Sequence, residues 1–167
     1  IVQRIGGMTL SDGIWAMFDP GAVLPHDPMT FALDLTGTMR LADGVFANRP
    51  SGDSGRVPAE FETLSLNELK LSALGADVVG KGAARIVNDG PEPRPVGAAD
   101  FVIKGLNGLF DRLVAMNLLP QDQAMGMRMM MAMFTVPTGE DSATSRIEAD
   151  EAGDVRVNGQ VLYKFPK

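Results

Sequence analysis

The chain has 167 residues, a net charge of −6 and no cysteine. This length is enough for one domain with its own core, and the lack of cysteine excludes disulfides, thiolate nucleophiles and cysteine metal sites. The negative charge argues against a nucleic-acid surface and against docking on anionic lipid by charge alone, and no apolar run reaches the roughly 18 residues that a membrane-spanning helix needs.

The N-terminal part predicts a short strand followed by a short helix. The strand is expected within residues 1–10, and the helix begins after Ser11 and ends before Pro20. We expect Trp15, the only tryptophan, to pack against the sheet; an anchor in a ligand site or an interface is the alternative. His26 is expected to be a surface turn residue, because no second histidine or cysteine accompanies it to bind zinc.

Residues 29–42 give the clearest strand, because apolar and polar side chains alternate along them. One face carries Phe31, Leu33, Leu35, Met39 and Leu41. Gly37 interrupts this face and predicts a bulge or a close approach. One apolar and one polar face are typical of an antiparallel sheet with one solvated side. The polar segment NRPSGDSGRVP, residues 48–58, is expected to be a loop.

Residues 61–87 predict either a long pair of strands or one bent strand, with Gly75 as the turn point. The apolar side chains change parity between residues 66 and 69, which predicts a bulge or short turn at residues 67–68. Small side chains line one face of residues 76–86, so that another backbone or side chain can approach closely.

The next segments predict a connector, a strand and a helical hairpin. Residues 88–97 hold three prolines and two glycines and are expected to be an exposed connector, and residues 98–104 a strand. Apolar residues then recur at helical spacing over residues 105–117 and 121–134. Asn117 suits the left-handed residue that ends a helix, and Pro120 suits a first helical position.

The second helix of this hairpin is rich in methionine. Six of the eleven methionines fall between Met125 and Met133. Because a helix that is apolar on most sides is usually covered, we expect it to pack in the core. The alternative is one wall of a groove for lipid or another protein, since methionine suits adaptable apolar contacts. Copper binding by the thioethers is disfavoured as long as the helix is packed, because its sulfur atoms are then hidden.

The C-terminal part predicts two strands. Residues 137–141 are expected to be a loop, residues 142–149 a strand, and residues 155–165 a second strand kinked at Asn158 and Gly159. The acidic turn between them contains carboxylates at residues 150, 151 and 154. They lack the spacing of a calcium loop, so a solvated hairpin tip is expected.

These patterns together predict a mainly β (α+β) fold. It consists of a curved antiparallel sheet with a two-helix hairpin inserted near the C-terminal third, in a single domain over residues 1–167. Candidate acids exist at Asp19, Asp34 and Asp111, but they show no paired geometry and no nucleophile at a readable spacing. The sequence therefore predicts a protein that is not an enzyme, with no cofactor and no metal site.

Several stretches resemble one family. They are LSDGIWAMFDPGAVLPHDPMTF, SLNELKLSALGADVVGKGAARI, and FDRLVAMNLLPQDQAMGMRMMMAMF followed by SRIEADEAGDVRVNGQ. They resemble the C-terminal part of the alphaproteobacterial domain-of-unknown-function family 2125. Asn117 stands where this family tends to have glycine, and His26 stands in a turn that often carries arginine.

The resemblance implies a periplasmic or periplasm-facing membrane-associated protein, and a chain that is the C-terminal part of a longer exported protein. The pattern with its terminal NGQ hairpin is also similar to AsmA-like proteins, which are linked to phospholipid transport and envelope integrity. That likeness is one of fold, and fold does not imply function.

Two functions follow as hypotheses. The first is binding of lipid or another apolar ligand along the curved sheet, and the second is a structural or interaction subunit of an envelope protein complex. No nucleic-acid partner and no transmembrane segment are expected. The predicted apolar wall consists of Phe31, Leu33, Leu35, Leu64, Leu66, Met127, Met131 and Phe134.

Overall fold

A computed structural model describes residues 1–41, 59–89 and 92–166. Within these ranges, nine strands make one antiparallel sheet: β1 (Val2–Met8), β2 (Met29–Leu41), β3 (Ala59–Ala73), β4 (Ala76–Val87), β5 (Arg94–Lys104), β6 (Val136–Gly139), β7 (Ser142–Ala149), β8 (Asp154–Val157) and β9 (Gln160–Lys164). Three helices accompany it in the same residues: α1 (Asp12–Phe18), α2 (Leu106–Ala115) and α3 (Gln121–Phe134). The predicted mainly β fold with a helical hairpin is confirmed.

The sheet is a meander that helices interrupt twice in the described part of the chain, with α1 between β1 and β2 and the α2–α3 hairpin between β5 and β6. Its strand order is β1-β2-β3-β4-β5-β7-β8-β9, and β6 pairs with β7. The helical hairpin is inserted between β5 and β6 in the chain. Strands β1 and β9 stand at the two ends of this order, so the sheet is open over the described residues.

Tight turns connect β3 to β4 and β8 to β9. Leu74 and Gly75 both have positive φ between β3 and β4, as do Asn158 and Gly159 between β8 and β9. Two such residues in succession match the right-handed twist of the flanking strands. At the second position we predicted one kinked strand, and the structure instead has a complete hairpin.

The predicted connector over residues 88–97 is wrong in its second half. Strand β5 begins at Arg94, four residues earlier than expected, and Arg94 pairs with Val87 and Pro95 with Ile86. Because the ladder continues through these pairs, the polar and proline-rich composition did not prevent strand formation. The predicted loop at residues 137–141 is likewise partly strand, since Val136–Gly139 pairs with β7 as β6. The predicted loop of residues 48–58 lies outside the described residues.

The helices are held by local contacts rather than by a deep core. The Asp141 carboxylate accepts the backbone N–H groups of Asn107 at 3.0 Å and Gly108 at 2.9 Å, which caps the first turn of α2. Asn117 ends the α2 segment in the left-handed conformation, as predicted. Pro120 directly precedes α3 instead of occupying its first helical position.

Around α1, one buried carboxylate organises the chain. Asp19 is buried and accepts the backbone N–H groups of Val23 and Leu24, each at 2.9 Å. His26 Nε2 lies 3.3 Å from Asp19 Oδ2, the oxygen that also accepts from Leu24, and the His26 ring stacks on Trp15 with centroids 3.8 Å apart. His26 is exposed in the irregular segment between α1 and β2, as expected for a surface turn residue, and its ring also packs on the buried tryptophan.

Candidate functional site

Strand pairing gathers the apolar side chains on one face of the sheet. Directly opposed residues share a face, and the opposed pairs run Leu35–Leu66, Leu66–Gly82, Gly82–Ala99 and Ala99–Ile147. This row crosses five strands without meeting a charged residue. We call this side of the sheet the apolar face.

A bulge in β3 keeps the apolar face continuous. Leu69 opposes Leu33 and Leu66 opposes Leu35, although three positions separate the two residues on β3. In a regular strand, side chains three apart point to opposite faces. The register shift between Leu66 and Leu69 absorbs the extra residue and returns both leucines to the apolar face. The bulge predicted at residues 67–68 is confirmed.

An open groove of about 420 Å³ lies on the apolar face. Small residues of the central strands form its floor: Gly82, Ala84, Gly97, Ala99 and Ala149. Larger apolar side chains border the floor: Leu35, Leu64 and Leu66 on one side, and Ile147, Val155, Tyr163 and Phe165 on the other. The groove exists because the central strands carry hydrogen or methyl side chains where the flanking strands carry leucine, isoleucine or aromatic rings.

The small floor residues are also required by the backbone. A Cβ atom added at Gly82 would lie 2.6 Å from the Ala99 Cβ atom, closer than side chains tolerate. One at Gly80 would lie 2.5 Å from Phe101 Cδ1, because the Phe101 ring covers that glycine. The two strands therefore approach too closely at these positions for larger side chains.

The electrostatic character of the two faces differs. Among the described residues that line the groove none is charged, and Tyr163 carries the single polar side-chain group. On the opposite face, Arg146 pairs with Asp100 at 2.8 Å and with Glu148 at 3.0 Å. The hydrogen bonds that Arg146 donates to Glu148 and Asp100 raise the pKa of Arg146. The polar face therefore carries solvent-exposed ion pairs, while the groove favours apolar ligands.

A second cavity, of about 280 Å³, lies between α3 and the end of the sheet near Ile103 and Ala143. Met131 and Arg128 reach it from α3, and Asp141 reaches it from the turn after β6. Its lining mixes charged and apolar groups, so it lacks the uniform character of the groove.

The predicted wall residues separate into three groups. Leu35, Leu64 and Leu66 line the groove, while Phe31 and Leu33 lie on the apolar face outside it. Met131 lines the second cavity, and Met127 and Phe134 line neither space. The structure therefore does not bring the methionine helix to the groove.

Sequence reasoning missed the far wall of the groove. Ile147 belongs to the predicted strand at residues 142–149, but no sequence pattern linked it to the leucines of β2 and β3. Tyr163 and Phe165 were assigned only to the last predicted strand. The signal for the floor was visible as the row of small residues in β4. What the sequence lacked was the pairing of β5 with β7, which places Ile147 opposite Ala99.

The predicted core position of the methionine helix is wrong. Met125, Met129, Met130 and Met133 are exposed, Met131 is half-buried, and Ala124 is the buried residue of α3. The helix contacts its surroundings through small and polar groups. Arg128, for example, donates to Asp111 Oδ1 at 2.6 Å and to Asn107 Oδ1 at 3.2 Å.

The candidate acids have structural partners. Asp19 caps the turn after α1, Asp34 accepts a hydrogen bond from Asn67, and Asp111 pairs with Arg128. In the acidic turn, Arg156 engages Asp150 and Lys164 engages Asp154. Within the described part of the chain, no three His, Asp or Glu side chains are grouped to hold a metal ion.

Scans against protein-family models, curated proteins and solved structures found no match to this chain. The resemblance to domain-of-unknown-function family 2125 and to AsmA-like proteins therefore stays a prediction. Among residues 1–41, 59–89 and 92–166, no helix has the length and apolar character needed to cross a membrane.

Proposed function

We propose that this chain is a non-enzymatic, periplasm-facing envelope protein that binds the acyl chain of a lipid, or a similar apolar ligand, in the groove of its sheet. The observation that carries the proposal is the uncharged lining of the groove over the described residues. Its volume of about 420 Å³ falls in the range of about 300–1,000 Å³ that is usual for small-molecule sites.

The groove favours the apolar part of a ligand. Each methylene group moved from water into apolar contact contributes about 0.8 kcal/mol when fully buried. Because the groove is open on one side, a chain lying in it keeps part of its surface in water and gains less per carbon. The lining offers no cation or anion for a head group, so the head group would remain outside in solvent.

The envelope location rests on the sequence resemblance. Family 2125 implies an exported or anchored protein that faces the periplasm, and the AsmA-like pattern implies a link to phospholipid transport. An apolar groove on an open sheet is the feature that such a role requires. The resemblance also supports the proposal that this chain is part of a longer protein.

A second function, that of a structural or interaction subunit, is favoured by strand β1. Val2, Ile5 and Met8 of this strand are exposed, and β1 stands at one end of the strand order. An edge strand can pair with a strand of another polypeptide through its free backbone groups. In this alternative the groove would be covered by a partner protein rather than by lipid.

Native mass spectrometry of protein purified from its envelope fraction, with lipid analysis after denaturation, distinguishes these functions. We expect a bound acyl-chain ligand in the wild type and its loss in Ala84→Phe, which fills the floor of the groove. Val79→Phe is the matched control, because Val79 lies on the same strand but on the polar face. A clean protein mass, or one that includes a second polypeptide, would contradict lipid binding.

A further inference from the structure

The outward side of α3 is a surface of thioethers. Met129, Met130 and Met133 are 67 %, 63 % and 70 % exposed, and Met125 is exposed beside them. The buried residue of the helix, Ala124, faces the other way. The sequence disfavours metal binding only as long as the helix is packed and its sulfur atoms are hidden. Because these side chains are exposed, that objection does not apply.

Helix geometry brings three of these thioethers together. Residues three and four positions apart are neighbours on a helix surface, and Met133 follows Met130 by three residues and Met129 by four. Helical side chains lean toward the N-terminus of the helix, so Met129 and Met130 both lean toward Gly126. A Cβ atom at Gly126 would meet nothing within 4 Å, which leaves open space beside the side chains of Met129 and Met130.

The positive charge of the helix is directed away from this surface. Arg128 is the one cationic side chain of α3, and it binds Asp111 and Asn107 of α2. Its positive charge is therefore compensated on the inner side. A cation that approaches Met129, Met130 and Met133 meets neutral, polarizable sulfur instead.

We propose that Met129, Met130 and Met133 form a binding site for Cu(I). Soft thioether ligands select Cu(I) over the hard and borderline divalent ions, which prefer oxygen and imidazole. Thioethers carry no proton to release, whereas carboxylate, histidine and cysteine sites must be deprotonated before they bind metal. Binding at this site is therefore independent of pH near neutrality and in mild acid. This site is separate from the groove and does not depend on the proposed lipid binding.

The test is a titration of the whole chain with Cu(I), kept reduced by ascorbate, in competition with a chromogenic chelator. Ag(I) serves as a redox-inert probe, followed through the methyl resonances of the methionines. We expect one ion per chain, perturbation of the three named methionines, and equal affinity at about pH 7 and about pH 5.

Two triple variants make the test specific. Met129→Leu/Met130→Leu/Met133→Leu keeps the apolar volume and helix propensity, and is expected to lose stoichiometric binding. Met8→Leu/Met17→Leu/Met39→Leu removes three exposed but scattered thioethers and is expected to bind as the wild type does. Circular dichroism verifies that both variants are folded. Equal affinity in the two variants, or a marked fall in affinity at the lower pH, would overturn the proposal.

Discussion

Replacement of Trp15 by alanine tests whether the α1 segment is a stable part of the fold. Trp15 is only 5 % exposed, and a buried tryptophan removes about 150–250 Å² from water. At about 25 cal/mol per Å², this burial corresponds to at most about 4–6 kcal/mol. Measured truncations of buried aromatic residues to alanine cost about 3–5 kcal/mol, and we expect Trp15→Ala to fall in that range.

Thermal unfolding followed by far-UV circular dichroism measures the effect. For a chain of this size, each kcal/mol lowers Tm by about 2–4 °C, so a fall of about 6–20 °C is expected. Met17→Ala is the control, because Met17 lies on the same helix and is 85 % exposed; its effect should stay within about 0.5 kcal/mol. A Tm for Trp15→Ala equal to that of the control would show that α1 unfolds without affecting the sheet, and would refute the reasoning.

Three further perturbations address the turns and the helical hairpin. Burial raises the pKa of Asp19, but hydrogen bonds from Val23, Leu24 and His26 outweigh the effect of burial and hold that pKa below its usual value. The ionised Asp19 side chain therefore stabilises the fold above about pH 4. This stabilisation is lost as the pH falls through the folded-state pKa of Asp19. Asp19→Asn should therefore reduce Tm near neutral pH and flatten its decline in acid, and an unchanged acid profile would contradict this. Gly75→Ala forces a Cβ atom to within 2.8 Å of Arg112 Nη1 at a φ of +81° and should destabilise the fold by about 1 kcal/mol or more, measured by urea unfolding. Arg128→Gln removes the hydrogen bonds to Asn107 and Asp111 and should lower the stability of the helical hairpin by about 1–2 kcal/mol. Faster amide hydrogen exchange confined to residues 106–134 would detect this loss. Unaltered protection there would show that these hydrogen bonds do not hold the hairpin together.

The strands were predictable where local chemistry alone decides them. The alternation in β2 and the parity change in β3 each have one solution that keeps the leucines on a single face. The beginning of β5 was not predictable in this way, because Arg94 and Pro95 are poor strand residues. These two residues are part of the strand because they pair with β4, where Arg94 lies opposite Val87 and Pro95 opposite Ile86.

The methionine helix shows the corresponding limit for burial. Its composition predicts a covered helix, but coverage depends on which other elements are within reach. In the described residues, α3 has α2 and the end of the sheet on one side and solvent on the other. The same limit applies to the groove. Its three leucines were identified from local sequence, whereas its opposite wall lies far along the chain, from β7 to the residue after β9, and could be placed only from the sheet topology.

The bulge in β3 sets a rule for how this protein can change in evolution. Substitutions at Asn67 or Glu68 leave the side-chain parity of β3 intact. Deletion of Asn67 would remove the bulge and leave Leu66 and Leu69 two positions apart, so that a regular strand would keep both leucines on the apolar face. Deletion of both Asn67 and Glu68 would make the two leucines adjacent and would turn Leu69 and Leu71 to the polar side, where Lys70 and Ser72 now stand. Sequences descended from the same ancestor should therefore be able to lose one residue at this point, but not two.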